Sequence, residues 1–216
     1  MWCIPQVTPE FEKAMYDVLG EYEKGYHPSY PRVCLDEKSH QLLSTPKGEE
    51  LVKIGKPRKV DYEYKRHGTV NLFVAIEPKA GRRIIRVTDH RKGRDFSRFI
   101  WFLLTKVYLK AKKVHLILDN LNTHNDETLI KHLGEEKGKL AIQKIDWHFT
   151  PKHASWLNQA EIEIGVLSQN VLKKRIAEKA KLIPEVRAYQ KRRNQAKAGI
   201  KWQFTKAKAK EKFNLH

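Results

Sequence analysis

Val114-His-Leu-Ile-Leu-Asp119 followed at once by Asn120-Leu-Asn-Thr-His124 is the stretch on which the fold turns. Five apolar or half-apolar residues of high β propensity stop at an acid, and a polar turn takes over, which is how a buried strand ends at the rim of a sheet. A second run, Arg32-Val-Cys-Leu-Asp36, ends the same way, and a third strand is expected over Ile145-Asp-Trp-His-Phe149. If the first two are neighbouring central strands, Asp36 and Asp119 meet despite lying 83 positions apart.

Outward from these runs the periodicity alternates between 2 and 3.6. Pro9 to Tyr22 reads as a helix with Phe11, Met15, Val18 and Leu19 on one side, and Pro46 to Pro57 reads as a loop. Short extended runs are expected at Tyr62–Tyr64, Val70–Ile76 and Arg83–Val87, the last two joined by a turn over Glu77–Gly81. Helices are expected over Asp95–Ala111 and Asp126–Leu133, and one long helix over Leu157–Ala180 with Ala160, Ile164, Leu167 and Val171 as its stripe. Three strands, then helix, strand, helix, strand, helix, predict an α/β fold: a mixed sheet with helices on its faces.

The 216 residues fit one large domain with an appendage. We divide the chain into a helical lead-in (1–30), a main domain (31–180) and a basic helical extension (181–216), with no internal repeat and no linker long enough to isolate a second domain. Hydrophobic residues at 40% and charged residues at 31% exclude a disordered polymer and a membrane protein, and no run reaches the ~18 apolar residues of a membrane span. The start, Met1-Trp-Cys-Ile-Pro5, does not read as a signal peptide. With only Cys3 and Cys34 there is no disulfide framework, and free thiols in a reducing cytoplasm are expected.

Charge names the partner. Forty-three basic residues against 25 acidic give +18, and from Lys173 onward there are 15 basic residues and 3 acidic. An excess of this size points to nucleic acid, with Lys173-Lys174-Arg175 and Lys191-Arg192-Arg193 as candidate phosphate contacts; a solvated helix face is the plainer alternative.

Asp36, Asp119 and Glu161 are the candidate chemistry. Acids brought close repel, and a hard divalent cation such as Mg²⁺ relieves the repulsion while keeping positions open for water and phosphate; two such ions can flank a phosphodiester. Each acid also has a bland role: Asp119 as a turn former, Glu161 as a solvated helix residue, Glu37 as an exposed or loop-anchoring acid on the other face from Asp36. Glu161 and Glu163 are about 200° apart on a helix, so only one can face the site. Asn120 and Asn158 are candidates to position acids by hydrogen bonds, as is His124, for which a buried or capping role is an equal alternative. Lys152 and His153, just before the last helix, are candidates to meet a DNA backbone, with a solvated loop as the equal alternative. Zinc held by His124, His148 and His153 is not expected without a cysteine or a tight histidine pair.

Three words in order, Cys34-Leu-Asp-Glu37, Leu118-Asp-Asn-Leu-Asn-Thr-His124 and Thr150-Pro-Lys-His-Ala-Ser-Trp-Leu-Asn-Gln-Ala-Glu161, resemble the DDE-superfamily endonuclease domain of bacterial insertion-sequence transposases related to the mariner group. Asp61-Tyr-Glu-Tyr and Gly68-Thr-Val-Asn-Leu-Phe73 resemble the segment between that family's first two acids, so the likeness covers nearly the whole chain. It implies a ribonuclease-H-like fold with a five-stranded mixed sheet and places the catalytic, metal-binding triad on Asp36, Asp119 and Glu161, demoting Glu163. It also implies two Mg²⁺ or Mn²⁺ ions, DNA strand cleavage and transfer, transposon ends and target DNA as partners, a homo-oligomer that pairs two ends, and a cytoplasmic, nucleoid-associated protein. The 42 positions from Asp119 to Glu161 exceed those of many mariner relatives, and loop residues around Gly134–Leu140 are expected to absorb the excess. The helix-turn-helix region that usually opens such proteins does not precede Met1, so fusion to an upstream reading frame, or a catalytically silent truncated fragment that binds DNA without sequence preference, are the expectations for that end.

Overall fold

The computed structural model describes residues 7–46, 55 and 62–215. Cys3, Asp61 and most of the loop expected over Pro46–Pro57 lie outside the described residues. The elements are α1 (Pro9–Glu23), β1 (Arg32–Ser44), β2 (Lys65–Glu77), β3 (Arg82–Thr88), α2 (Gly93–Phe102), β4 (Val114–Asp119), α3 (Asp126–Leu133), α4 (Glu135–Lys144), β5 (Ile145–Thr150), α5 (Ala160–Leu167), α6 (Lys179–Gln195) and α7 (Lys206–Phe213).

One five-stranded sheet runs in the order β3-β2-β1-β4-β5. β1 is antiparallel to β2, and β2 to β3, whereas β1/β4 and β4/β5 are parallel. The sheet is mixed because two hairpin-type connections build one edge and helical crossovers build the other.

Alternation divides the core by face. Val33, Leu35, Phe73, Ala75, Leu116 and Leu118 pack with α2, α3 and α4 through Phe96, Phe99, Ile100, Leu129 and Ala141. The residues between them face the other way: Cys34, Ile76 and Ile117 lie under α1, and Leu72 and Val74 under α5 and α6. The α/β expectation with helices on both faces therefore holds, and the buried Val114–Leu118 run is an interior strand beside the central β1.

Four local expectations change. Strand β1 runs eight residues beyond Asp36, as residues that alternate in and out continue to pair with β2, Lys38 against Leu72 and His40 against Val70. Tyr62–Tyr64 is not a strand; β2 starts at Lys65. The stretch around Gly134–Leu140 is helical, α4, and packs so closely on α3 that a Cβ on Gly138 would stand 2.7 Å from Ile130 Cα. The long helix expected over Leu157–Ala180 stops early. α5 gives way to a π-helical turn at Ser168–Leu172, and the Ile176 carbonyl then accepts from Leu43 N at 3.1 Å, a bond that a carbonyl inside a helix cannot spare.

The basic extension packs on this body. α6 lies on β3, and Trp202, Phe204 and Phe213 join the apolar layer against α1. Gly81, at φ 63°, lets the β2–β3 turn meet the chain at Lys197, whose carbonyl oxygen would be 2.2 Å from any Cβ there. Among the described residues no helix is long and apolar enough to cross a membrane.

Candidate active site

The parallel pairing of β1 and β4 sets the site. Cys34 is opposite Ile117 at the last pair of that ladder, and two residues further along each strand Asp36 and Asp119 follow on the same face. β4 ends here, while β1 continues past Asp36 with no further strand pairing on this side among the described residues, which leaves the two carboxylates at an open rim instead of inside the sheet.

Each acid is held by its neighbours. Asp119 is level with Thr150 of β5, and the Thr150 hydroxyl donates to Asp119 Oδ1 at 2.8 Å. Asp36 Oδ1 accepts from the Glu37 amide at 2.6 Å. Glu161 arrives on the first turn of α5, and Asn158 decides where that turn starts: its Nδ2 donates to the Leu35 carbonyl at 2.8 Å, while its Oδ1 accepts from Ala160 N at 3.1 Å. This buried amide therefore ties the start of α5 to the residue before Asp36. Tyr22 adds a second clamp from α1, its hydroxyl donating to Leu157 O at 2.8 Å.

Electrostatics registers the convergence. Burial first, and then the negative charges of Asp119, Glu161 and Glu37, push the Asp36 carboxyl up to about 7, with the Glu37 amide opposing the rise. Folding thus retains a proton on Asp36 that the unfolded chain releases near pH 3.8. The sign is that stability of the metal-free protein falls as pH rises from about 4 to 7. Asp36→Asn removes the penalty, at most about 4 kcal/mol. We expect its melting temperature in EDTA to equal that of the wild type near pH 4 and to exceed it increasingly up to about pH 8; thermal unfolding across that range checks this. A difference that does not grow with pH would contradict the raised Asp36 carboxyl.

Glu163 faces away, as the helical angle requires. It is fully buried, paired with Arg83 at 2.9 Å and Arg193 at 3.1 Å, and accepts from the Tyr189 hydroxyl at 2.7 Å. Of the two roles expected for Glu37, exposed or loop-anchoring, the structure agrees with the second. Its side chain is 5% exposed, on the α2 side of the sheet, where His124 Nε2 lies 3.2 Å from its Oε1. His124 is itself buried, stacks on Phe96 and donates from Nδ1 to the Asp119 carbonyl, 2.9 Å away. It therefore braces the turn after β4 from below and is not placed to orient a carboxylate of the rim.

Asp119, Asn120, Thr150, Lys152, His153 and Ser155 line an open cleft of about 420 Å³. Lys152 and His153 are exposed there and Asn120 stands on its wall, so the structure brings these three beside Asp119. The outlying cations divide. Lys173, Lys191 and Arg192 are exposed, whereas Lys174 pairs with Glu185 at 2.9 Å. Arg175 is half-buried on Thr45 and the Glu63 carbonyl, and Arg193 turns inward to Glu163. Arg175 and Arg193 are thus corrected to fold-bracing roles, because each already has an internal acceptor. His124, His148 and His153 do not assemble: His124 lies at Glu37, His153 is exposed in the cleft, and His148 meets Asp17 under α1.

Thr150 and Tyr22 are contributors that the residue patterns do not single out. A signal for Thr150 exists, since equal spacing from the starts of β4 and β5 places it level with Asp119; nothing local marks Tyr22, whose partner is 135 positions away.

A family model described as DDE superfamily endonuclease matches residues 31–183. The chain belongs to that family. As a DDE endonuclease it has a ribonuclease-H-like fold shared with solved transposases. The Mos1 mariner paired end complex with Mn is 11% identical with a TM-score of 0.60, the match covering 92% of this chain and 60% of that one. For a pre-cleavage Mos1 transpososome the values are 12% and 0.58, covering 93% and 66%. The catalytic domain of Mos1 mariner transposase, 11% identical with a TM-score of 0.55, is covered over 96% of its length by 91% of this chain. This endonuclease thus spans 60 to 66% of the full transposase chains and nearly all of the isolated catalytic domain. No curated protein matches its sequence.

Proposed function

We propose that this DDE endonuclease is the catalytic domain of a transposase, which cleaves DNA at the ends of a mobile element and joins the freed 3′-hydroxyl to target DNA. The observation that carries the reading is the convergence at the rim: Asp36 and Asp119 lie on neighbouring parallel strands, Asn158 ties the start of the Glu161 helix to them, and the charges of Asp119 and Glu161 add to burial in driving Asp36 toward neutrality.

Such a donor set suits a hard divalent cation. It consists of carboxylate oxygens at an open edge, with charge in excess of what the neighbouring protein groups neutralise, and it leaves room for water and phosphate. Asp36, Asp119 and Glu161 would hold two Mg²⁺ or Mn²⁺ ions, which supply an activated water and stabilise charge at the scissile phosphate. The chain does the rest. Thr150 keeps one Asp119 oxygen turned and so fixes the direction of the other. Asn158 fixes the entry of Glu161, and Lys152 and His153 would pin a strand's phosphates at the cleft. The exposed Lys173, Lys191 and Arg192 would extend the DNA contact beyond it. We carry over from the paired end complexes the expectation that two copies act together on two transposon ends.

The test is nicking of supercoiled plasmid by the chain. Nicks with 3′-hydroxyl ends are expected with Mg²⁺ or Mn²⁺ and none with EDTA. Nicking that persists in EDTA, or none by folded protein at saturating Mn²⁺, would overturn the proposal.

A further inference from the structure

On the α1 face of the sheet, away from the acidic rim, five side chains from three elements meet. His115 of β4 pairs in register with Asp146 of β5, and Ile117 with His148, so His115, Asp146 and His148 gather over two adjacent strands. α1 crosses above them and supplies Asp17 and Glu21, four positions apart and hence on one side of the helix. We propose that Glu21, His115, His148 and Asp146 form a binding site for a tetrahedral transition-metal cation, Zn²⁺ by its chemistry, distinct from the carboxylate rim.

Three of the donors form a compact cluster, and Asp146 approaches it from the side of the two histidines. His115 Nδ1 lies 3.1 Å from His148 Nε2, 3.5 Å from Glu21 Oε2 and 3.2 Å from Asp146 Oδ2. His148 Nε2 is 3.9 Å from Glu21 Oε1 and 3.8 Å from Asp146 Oδ2. Zinc bonds to nitrogen and oxygen are about 2.0 to 2.2 Å, so ligands at tetrahedral corners sit about 3.3 to 3.6 Å apart, the middle of the observed range. The donor atoms of Glu21, His115 and His148 all fall within 4.8 Å of one another.

The groups behind the donors fit the same purpose. His148 Nδ1 donates to Asp17 Oδ2 at 2.7 Å, which leaves Nε2 as the lone-pair nitrogen turned toward His115. Arg32 Nε holds Glu21 Oε2 at 3.0 Å and fixes that carboxylate, whose other cationic partner, Lys24, is half exposed and free to swing into solvent when a cation arrives. Glu21 and His148 are buried, while Asp17 and Asp146, at 49% and 45% exposure, stand on the open side by which a cation enters. One N–H···N bond satisfies a single pair among these donors, whereas a cation satisfies four. The tight histidine pair that the sequence does not reveal arises because His115 and His148 are diagonal neighbours across a parallel pair. The mixed nitrogen and oxygen set selects Zn²⁺ or Co²⁺ over Mg²⁺, and His115 is four residues, about 13 Å of strand, from Asp119. Filled, the site fastens α1 to β4 and β5.

Co²⁺ is the probe. The full chain, stripped with chelator and titrated with Co²⁺, is expected to develop the intense visible bands of four-coordinate cobalt, with an amplitude of one four-coordinate ion per chain, and to lose them on displacement by Zn²⁺. His148→Gln and Glu21→Gln should lose the bands, Asp17→Asn should weaken Co²⁺ binding about 10- to 100-fold, and Asp119→Asn should leave them intact, so this site and the nuclease reading can fail separately. Only the weak spectrum of six-coordinate cobalt in the wild type, or intense bands that survive in folded His148→Gln, would overturn the assignment. Should the buried variants fail to fold, Asp146→Asn at an exposed donor decides the question: unchanged affinity and bands count against the site, weakened binding with shifted bands supports it.

Discussion

Asp119→Asn is expected to lower Mg²⁺-dependent strand cleavage at least about 1,000-fold while leaving the fold and the affinity for DNA in place. The substitution keeps the shape of the side chain and an oxygen for the Thr150 hydroxyl, so the end of β4 is unchanged. What disappears is one negative charge from the donor set. Metal-borne stabilisation of charge at a reacting phosphate amounts to several kcal/mol, and about 4 kcal/mol corresponds to a factor of 10³. Binding to DNA depends on Lys152, Lys173, Lys191 and Arg192 in this reading, all unaltered, so the slope of affinity against salt should be the same in variant and wild type. A second readout follows from the repulsion itself. Removing the Asp119 charge removes one cause of the raised Asp36 carboxyl, and the pH-dependent loss of stability in EDTA should be shallower and complete at lower pH. Cleavage within tenfold of wild type would remove Asp119 from the site, whatever its position on the sheet.

The site's strands were legible because each carries its information locally. Val114–Leu118 is a largely apolar run that stops at a polar turn, Ile145–Phe149 alternates apolar and polar residues, and Asp126–Leu133 is preceded by Asn125, whose side chain caps the helix through Thr128 N. Where packing of small residues or pairing over distance decides, the signal fails. α4 buries only Gly138 and Ala141, so it has no stripe of large residues to betray it. The far half of β1 buries only Leu42 and is fixed by partners distant in sequence, β2 and the Ile176 carbonyl. The stripe Ala160, Ile164, Leu167 and Val171 is indeed an apolar face, but the helix beyond it is interrupted where the chain turns to pair with Leu43, 133 residues earlier. For the acids, the ends of the two apolar runs located Asp36 and Asp119, although only Asp119 ends its strand, whereas Glu161 over Glu163 came from the family word. No local feature says that Glu163 has a buried arginine 80 positions behind it waiting as its partner.

That partner makes the second large effect one of stability. Glu163→Gln is expected to destabilise the protein by about 3 to 5 kcal/mol, because Arg83 is fully buried and loses the only carboxylate paired with its guanidinium among the described residues. The Gly81, Asn194 and Ala198 oxygens remain as acceptors for Arg83, but they are neutral and cannot offset its charge. Arg193 and Tyr189 lose the same anchor, which loosens α6 from α5 and β3. For a chain of this size the drop corresponds to a melting temperature lower by about 6 to 20 °C. Glu161→Gln, two residues away, should do the reverse: unfolding free energy within about 1 kcal/mol of wild type or above it in EDTA, since a repelling charge has gone from beside Asp36, and cleavage abolished. A Glu163→Met/Arg83→Met pair should recover much of the loss, because two apolar chains of similar reach replace an ion pair whose burial was itself costly. If urea unfolding instead finds Glu163→Gln as stable as wild type and cleavage lost, the two glutamates have exchanged roles, and α5 presents to the metal the face here assigned to the core.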